Sequence, residues 1–335
     1  MKAIPETVVV DDHEWQVSRV WPREKVGFPT ELRHNGQIRG AFWDGQAFDV
    51  CEEYVDPRLP CLGDVVQRTD GVLVSHRPGK RAVVRARQGS FVKVVRPGRS
   101  SAVLLGVARS EPFAATFRTP AVLDHDSSTV TFSPVAGRSL HTGGSWSFDE
   151  WSLAWEDILQ AWEDAIFADP GDAPRHDAMR EAVILSSWAS KVVMLDDHEM
   201  PWMRNGINEV ISELATLPEP TQVTIIHRDL HDKQLLWDSA EGPGLIDLDT
   251  VSSGDPSIDL GNLWAHAILR ELQGLWDARQ AAAVRELIGQ VSERTHAINS
   301  VAYARATLVR LACIYSFRPA WRQLAPHLVQ EAQRL

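Results

Sequence analysis

Cysteine is scarce in this chain of 335 residues: Cys51, Cys61 and Cys313 are odd in number and far apart. Such spacings support neither a disulfide framework nor a zinc motif, and buried free thiols are expected. Long apolar runs are also missing. Nothing approaches the roughly 20 apolar residues of a membrane-spanning helix. The opening MKAIPETVVVDD has no apolar stretch of signal-peptide length. Positive charge is in deficit: 34 Lys and Arg face 45 Asp and Glu, a net charge of −11. That sign argues against nucleic acid or an anionic membrane as partner, while leaving room for a local basic patch. No internal repeat is visible. These absences predict a globular protein of the cytoplasm and leave its oligomeric state open.

A 44% hydrophobic fraction with well-mixed charge suits a soluble fold, and the length predicts two or three folding units. The first sixty residues are short apolar or aromatic runs broken by turn residues. IRGAFWDGQAFDV reads as a hairpin turning at Asp44-Gly45. DPRLPCLGD, residues 56–64, holds two Pro and a Gly and marks the first boundary. GVLVSHRPG, KRAVVRAR and SFVKVVRPG follow as three strands of an antiparallel meander. SSAVLLGVARS has helical spacing, and STVTFSPVAG returns to strand.

After Gly137 the pattern turns helical. Ser147 and Glu150 form a capping box. Trp151, Trp155, Ile158, Trp162 and Ile166 then recur on one face until Pro170. A Trp stripe of this kind reads as core. Helix is expected over roughly 176–216, strand–loop–strand over 222–248, and helix to the end. The chain is therefore α+β with two unequal lobes. Its divisions are a β-rich cap (1–62), a small β-rich lobe (63–135) and a larger helical lobe (136–335).

HRDLHDKQLLW, residues 227–237, sets two His, two Asp, an Arg and a Lys between the apolar runs VTII and LID. It is either a solvated loop or a site. If the two runs form neighbouring strands, Gln234 and Asp247 come close, one oxygen from each arm. Mg²⁺ favours that arrangement, with water and phosphate completing its shell. Asp229 would stand near the metal and orient a hydroxyl for phosphoryl transfer. A metallohydrolase built on His227, Asp229, His231 and Asp247 is the alternative, although no helical zinc pair is formed.

HRDLHDKQLL, LIDLDT and GDPSIDLGNL together resemble the aminoglycoside phosphotransferase and choline kinase family, small-molecule kinases with the protein-kinase fold. The likeness is strong over 225–264, loose over 71–96 and 129–141, and absent from the first sixty residues. It implies ATP as co-substrate, Mg²⁺ as cofactor and a small hydroxylated acceptor. Asp229 then matches the catalytic carboxylate, Asp247 a metal ligand, and Asp259 a buried brace for the catalytic loop. Lys93 matches the strand lysine that contacts the α- and β-phosphates, with Glu111 as candidate ion-pair partner. His227 fixes the loop, and His231 lies near the substrate. Asp249 is either a second metal contact or a surface charge. Gly79 and Lys80 form the phosphate turn or an ordinary β-turn. Pro134 and Ala136 fall in the hinge that would meet adenine. Arg318 falls where the last helices would border the acceptor.

Two positions depart from the family pattern. Arg228 replaces the usual Gly, and Gln234 replaces the usual metal-binding Asn, as in maltokinases and bacterial glucosamine kinases. The second departure, with a cap over 1–62, points to a sugar or amino sugar. An aminoglycoside or amino alcohol, or a degenerate kinase fold that only binds, remains an alternative. Only twelve positions separate Asp247 from Asp259, too few for a protein kinase's activation segment. Asp229, Asp232, Asp238, Asp247, Asp249, Asp255 and Asp259 lie within thirty-one positions. They predict acidic cleft walls and a neutral or cationic acceptor.

Overall fold

The computed structural model describes residues 4–23, 27–195 and 201–335. Parts of the expected cap, of the N-terminal dozen residues and of the helical stretch 176–216 lie outside them. Strands of mixed burial build the first sheet. Thr7–Val10 (β1), His13–Val20 (β2), Phe28–His34 (β3), Gln37–Trp43 (β4) and Phe48–Val50 (β5) pair antiparallel in chain order. The β4–β5 turn is the expected one. Asp44 accepts from the Gln46 and Ala47 N–H groups at 2.7 and 2.8 Å, and Gly45 takes φ 102°.

The stretch read as a boundary runs instead into a helix, Leu62–Thr69 (α1). It packs on the second sheet, built from Val72–Arg77 (β6), Arg81–Arg85 (β7), Phe91–Val95 (β8), Val122–His125 (β9) and Thr129–Phe132 (β10), in the order β6-β7-β8-β10-β9. The meander β6–β8 is as expected. Strand β9 was not, because an edge strand with one face in solvent lacks an apolar signature. Between β8 and β9 lie Ser100–Arg109 (α2) and Glu111–Ala114 (α3).

After Arg138–Ser139 (β11) comes Phe148–Ile166 (α4), whose capping box at Ser147 and Glu150 is present. Its predicted apolar face is fully buried, and Trp151 and Trp155 meet Trp276 edge-on. Arg175–His176 (β12), Ala178–Val192 (α5), Pro201–Leu214 (α6), Thr224–Ile226 (β13), Leu235–Asp238 (β14), Gly242–Leu245 (β15) and Ser252–Gly254 (β16) follow. Ser257–Leu272 (α7), Ala278–Arg294 (α8), Ser300–Tyr315 (α9) and Ala325–Arg334 (α10) complete the helical part.

The first sheet bridges both lobes. Glu31 accepts from the His76 N–H at 2.9 Å, and Val20 N–H donates to the Phe317 carbonyl at 3.0 Å. Trp15, Phe28 and Trp43 share one core with Phe317 and α9. All three cysteines are free, but only Cys313 is buried. No helix among the described residues is long and apolar enough to cross a membrane.

Candidate active site

Two neighbouring strands position the site. In the β14–β15 hairpin Leu235 faces Leu245, and Ile246 N–H donates to the Gln234 carbonyl at 3.0 Å. Gln234 and Asp247 are thereby held on adjacent arms. Asp229 sits half-buried ahead of them, with the Gln234 Nε2 at 3.5 Å as its side-chain contact. The Gln234 Oε1 is buried without a hydrogen-bond partner. A buried, unpaired carbonyl oxygen is costly in an apolar surrounding and suits a hard cation, so the donor set fits Mg²⁺.

The loop that carries Asp229 is tied at its backbone. Asp259, fully buried, accepts from the His227 and Arg228 N–H groups at 2.8 and 2.7 Å and from the Trp162 indole at 3.1 Å. Asn262 donates to the Arg228 carbonyl at 2.7 Å. These contacts hold Arg228 at φ 72°, the left-handed region that glycine reaches without strain. That explains why the family pattern carries Gly there. His227 turns its Nε2 to the Ile246 carbonyl at 3.3 Å and its ring edge to Phe113. It therefore faces the loop's backbone and not a metal.

Lys93 reaches in from β8. Its ammonium lies 3.1 Å from an Asp247 oxygen and in very short contact with Asp249. Glu111, expected as its partner, is exposed at the start of α3 and makes no such pair. The physical reason is that α2 carries no acidic residue, while it seats directly on the Asp249 turn. Gly106 allows that seat, since a Cβ there would lie 2.9 Å from the Asp249 Cα. Asp249 is thus not a plain surface charge: like Asp247, it engages Lys93. Burial would raise the Asp247 carboxyl, yet Lys93 and then Arg81 hold it at about 2. We expect Gly106→Ala to push α2 off this turn, lowering stability by about 1–3 kcal/mol and raising the KM for nucleotide. Urea unfolding and ATP titration check it; wild-type values in both would show that α2 tolerates the shift.

The turn at Gly79 and Lys80 was expected to aim N–H groups at phosphates. Instead Gly79 N–H donates to Asp56 at 2.7 Å and Lys80 N–H to the Arg77 carbonyl at 3.0 Å. Asp56 also holds His76 at 3.0 Å, so the turn is a pinned β-turn. Strand register supplies what sequence reading missed. Arg81, Val83 and Arg77 share the sheet face of Lys93, because Val83 pairs with Lys93 and Arg77 with Arg81. A period-two pattern at 77, 81 and 93 could have shown this once the pairing was known. In the hinge, the Ala136 carbonyl accepts from Arg118 at 3.0 Å and is occupied. Pro134 is exposed beside it.

The expected acidic walls do not form. Asp232 is fully buried against Arg270 and His141, at 2.8 and 2.7 Å. Asp238 caps the turn at Ala240 and Glu241. Asp255 binds Asn299 and the Ser257 N–H, and Asp259 braces the loop. Nor does the metallohydrolase set converge. Among the described residues, the group within ligand reach is His231, Asp232 and His266, and its carboxylate already has Arg270 as counter-ion. His231 stacks on His266 at 4.6 Å. Burial, then that neighbour, push its imidazole down to about 3, so it is neutral near pH 7. Its Nδ1 accepts from the Lys233 N–H at 3.2 Å, which leaves the proton on Nε2. Arg318 lies over the Tyr315 ring, 4.5 Å from its centre.

Residues 150–295 match the phosphotransferase enzyme family. No protein of curated function matches the chain in sequence. Among solved structures, aminoglycoside phosphotransferase APH(3'')-Id from Streptomyces rimosus is 22% identical, with 71% of this chain and 93% of that one covered and a TM-score of 0.51. A choline/ethanolamine kinase family protein from Mesorhizobium loti is 16% identical, with 81% and 90% covered and a TM-score of 0.52. A thermostable mutant of aminoglycoside phosphotransferase APH(4)-Ia is 15% identical, with 81% and 98% covered and a TM-score of 0.58. The fold is therefore protein-kinase-like, with a small sheet lobe and a larger helical one.

Proposed function

We propose that this chain, matching a phosphotransferase family and folded like small-molecule kinases, transfers the γ-phosphoryl group of ATP to a hydroxyl of a sugar-sized molecule in the cytoplasm. The observation that carries the reading is the convergence of Asp229, Gln234, Asp247 and Lys93, with the Gln234 oxygen buried and unpartnered. In this reading Asp229 accepts a hydrogen bond from the acceptor hydroxyl, orients it, and takes its proton late. Lys93, steadied by Asp249, binds phosphate oxygens. Arg81 and Arg77 extend the positive sheet face where a glycine-rich loop would otherwise supply N–H groups. Gln234 and Asp247 would hold Mg²⁺, which when bound neutralises phosphate charge. Asp259 keeps Asp229 in place by bracing the loop, and most of the rate comes from positioning.

Asp247→Ala should weaken Mg²⁺-dependent nucleotide binding at least about 10-fold, in line with losing one charged contact. Gln234→Asn should keep part of the activity, because an amide oxygen remains. Calorimetric titration with Mg-ATP decides; binding as tight as wild type in Asp247→Ala would remove the metal site from this reading. A screen of sugars, amino sugars, aminoglycosides and choline, read by ADP release, tests transfer. The internally used N–H groups of the 77–80 turn favour one second reading, a fold that binds nucleotide without turnover. ATP binding with no transfer to any hydroxyl would support it.

A further inference from the structure

The cap and the last helices bring cations, not carboxylates, to the acceptor side of the catalytic loop. Val20 N–H binds the Phe317 carbonyl at 3.0 Å, which sets Arg19 on β2 beside Arg318. The Arg318 guanidinium lies over Tyr315, whose hydroxyl takes a hydrogen bond from Gln273 at 3.4 Å. Gln273 in turn accepts from Arg270 at 2.6 Å, and Arg270 contacts His266, the ring stacked on His231. This wall runs without a break from Arg318 to the loop of Asp229. Lys233, four residues past Asp229, is exposed on that loop.

Charge balance along this wall is uneven. Arg270 is matched by Asp232 at 2.8 Å. Lys233 and Arg318 have no carboxylate within 4 Å among the described residues. Arg19 has only Glu31, at 4.0 Å, and that carboxylate already serves Arg33 at 2.9 Å and the His76 N–H. Gathering like charges without counter-ions is unfavourable, and all the more telling in a chain of net charge −11. A site that binds an anion is where such a cost is recovered.

We infer that Arg19, Lys233 and Arg318 form an acceptor subsite for an anionic group, so that the molecule phosphorylated carries a carboxylate or phosphate besides its reacting hydroxyl. The subsite gives the N-terminal sheet a part in recognition, because Arg19 comes from it. The inference rests on the kinase reading for the place of the reacting hydroxyl, and it reverses the acceptor charge that the acidic sequence segment suggested.

The test uses the full chain. Glucose, glucosamine, glucuronate and glucose 6-phosphate are compared as acceptors with Mg-ATP at low and moderate salt, by ADP release. The two anions and glucose are also titrated calorimetrically into protein saturated with Mg-ADP. At least one anion should exceed glucose about 10-fold in affinity or kcat/KM, as a charged hydrogen-bonded contact allows. The margin should shrink with salt. Arg318→Gln and Arg19→Gln should each erase most of it while the KM for ATP stays, and Arg318→Lys should restore part. Circular dichroism confirms folding of each variant. Comparison of glucuronate with glucose 6-phosphate tells carboxylate from phosphate. Preference for glucosamine or glucose, equal binding of charged and neutral ligands, or an anion preference indifferent to both Gln variants overturns the inference. Anion binding that persists where no acceptor is phosphorylated and Mg-ATP does not bind would sink the kinase reading and leave the subsite standing.

Discussion

Asp229→Asn should lower kcat at least about 100-fold, the low end of what a positioned base contributes, with Mg-ATP affinity and thermal stability close to wild type. The side chain is half-buried, and its contact within the protein is the Gln234 amide at 3.5 Å. Asn has the same shape and can keep that contact. It cannot take a proton from a hydroxyl, so the loss falls on turnover and not on folding. In the kinase reading, nucleotide phosphates would meet Lys93 and the Asp247 side of the site, which the substitution leaves alone. Steady-state ADP release and Mg-ATP calorimetry separate the two effects. Turnover near wild type would show that Asp229 is not the base. Lost nucleotide affinity would show that it belongs to the phosphate side.

The second large effect concerns stability. Asp232→Ala should cost about 3–5 kcal/mol, the range for removing one partner of a buried ion pair. Arg270 is nearly fully buried, 2% exposed at its side chain, and Asp232, at 2.8 Å, is its only carboxylate among the described residues. His141 and His266 lose the same partner. Burial works against the Asp232 charge, but Arg270 and the two imidazoles hold its carboxyl well below the usual range. It is therefore charged throughout the neutral range, and Arg270 would be left with an uncompensated charge in the core. Replacing both, Asp232→Ala with Arg270→Met, should recover much of the loss, since two apolar groups need no counter-ion. Urea unfolding of the two single variants and the double variant closes the cycle. Equal destabilisation in all three would mean that the side chains matter for shape and not for charge.

The same sign holds at Asp247. Its carboxyl is held at about 2, below the ordinary 3.8. The stabilisation it draws from Lys93 is present above the unfolded value and is lost as pH falls through about 2. Acid unfolding of Lys93→Met should accordingly show a flatter pH dependence between pH 4 and 2, by roughly the share of one carboxylate. A curve parallel to wild type would place the acid sensitivity elsewhere.

Much of this protein was legible from local rules. Helix α4, its capping box and its buried Trp face follow from spacing alone, because a 3.6-residue period and a cap are local properties. The meander β6–β8 and the turn at Asp44 are local in the same sense. The closeness of Gln234 and Asp247 was legible because the two residues flank one short hairpin, with Asp229 on the loop just ahead of it. Local pattern failed where partners come from distant segments. Asp249 and Asp232 look alike in sequence, as acids near a catalytic loop. Only the packing of β8 and α2 makes the first the partner of Lys93, and only α7 makes the second the partner of Arg270. Gly79 reads as a phosphate turn until Asp56, twenty-three residues earlier, is seen to hold its N–H. The charge of the acceptor side is the clearest case. Composition along the chain is acidic there, but Asp232, Asp238, Asp255 and Asp259 are taken by internal partners, and Asp247 and Asp249 by Lys93. The cations come from residue 19, whose nearest carboxylate among the described residues is Glu31 at 4.0 Å, and from residue 318, brought together because β2 hydrogen-bonds to the chain just after α9. Electrostatic potential in a cleft is set by which charges remain unpaired at a point in space. Sequence order carries that information only when the neighbours in space are also neighbours in the chain.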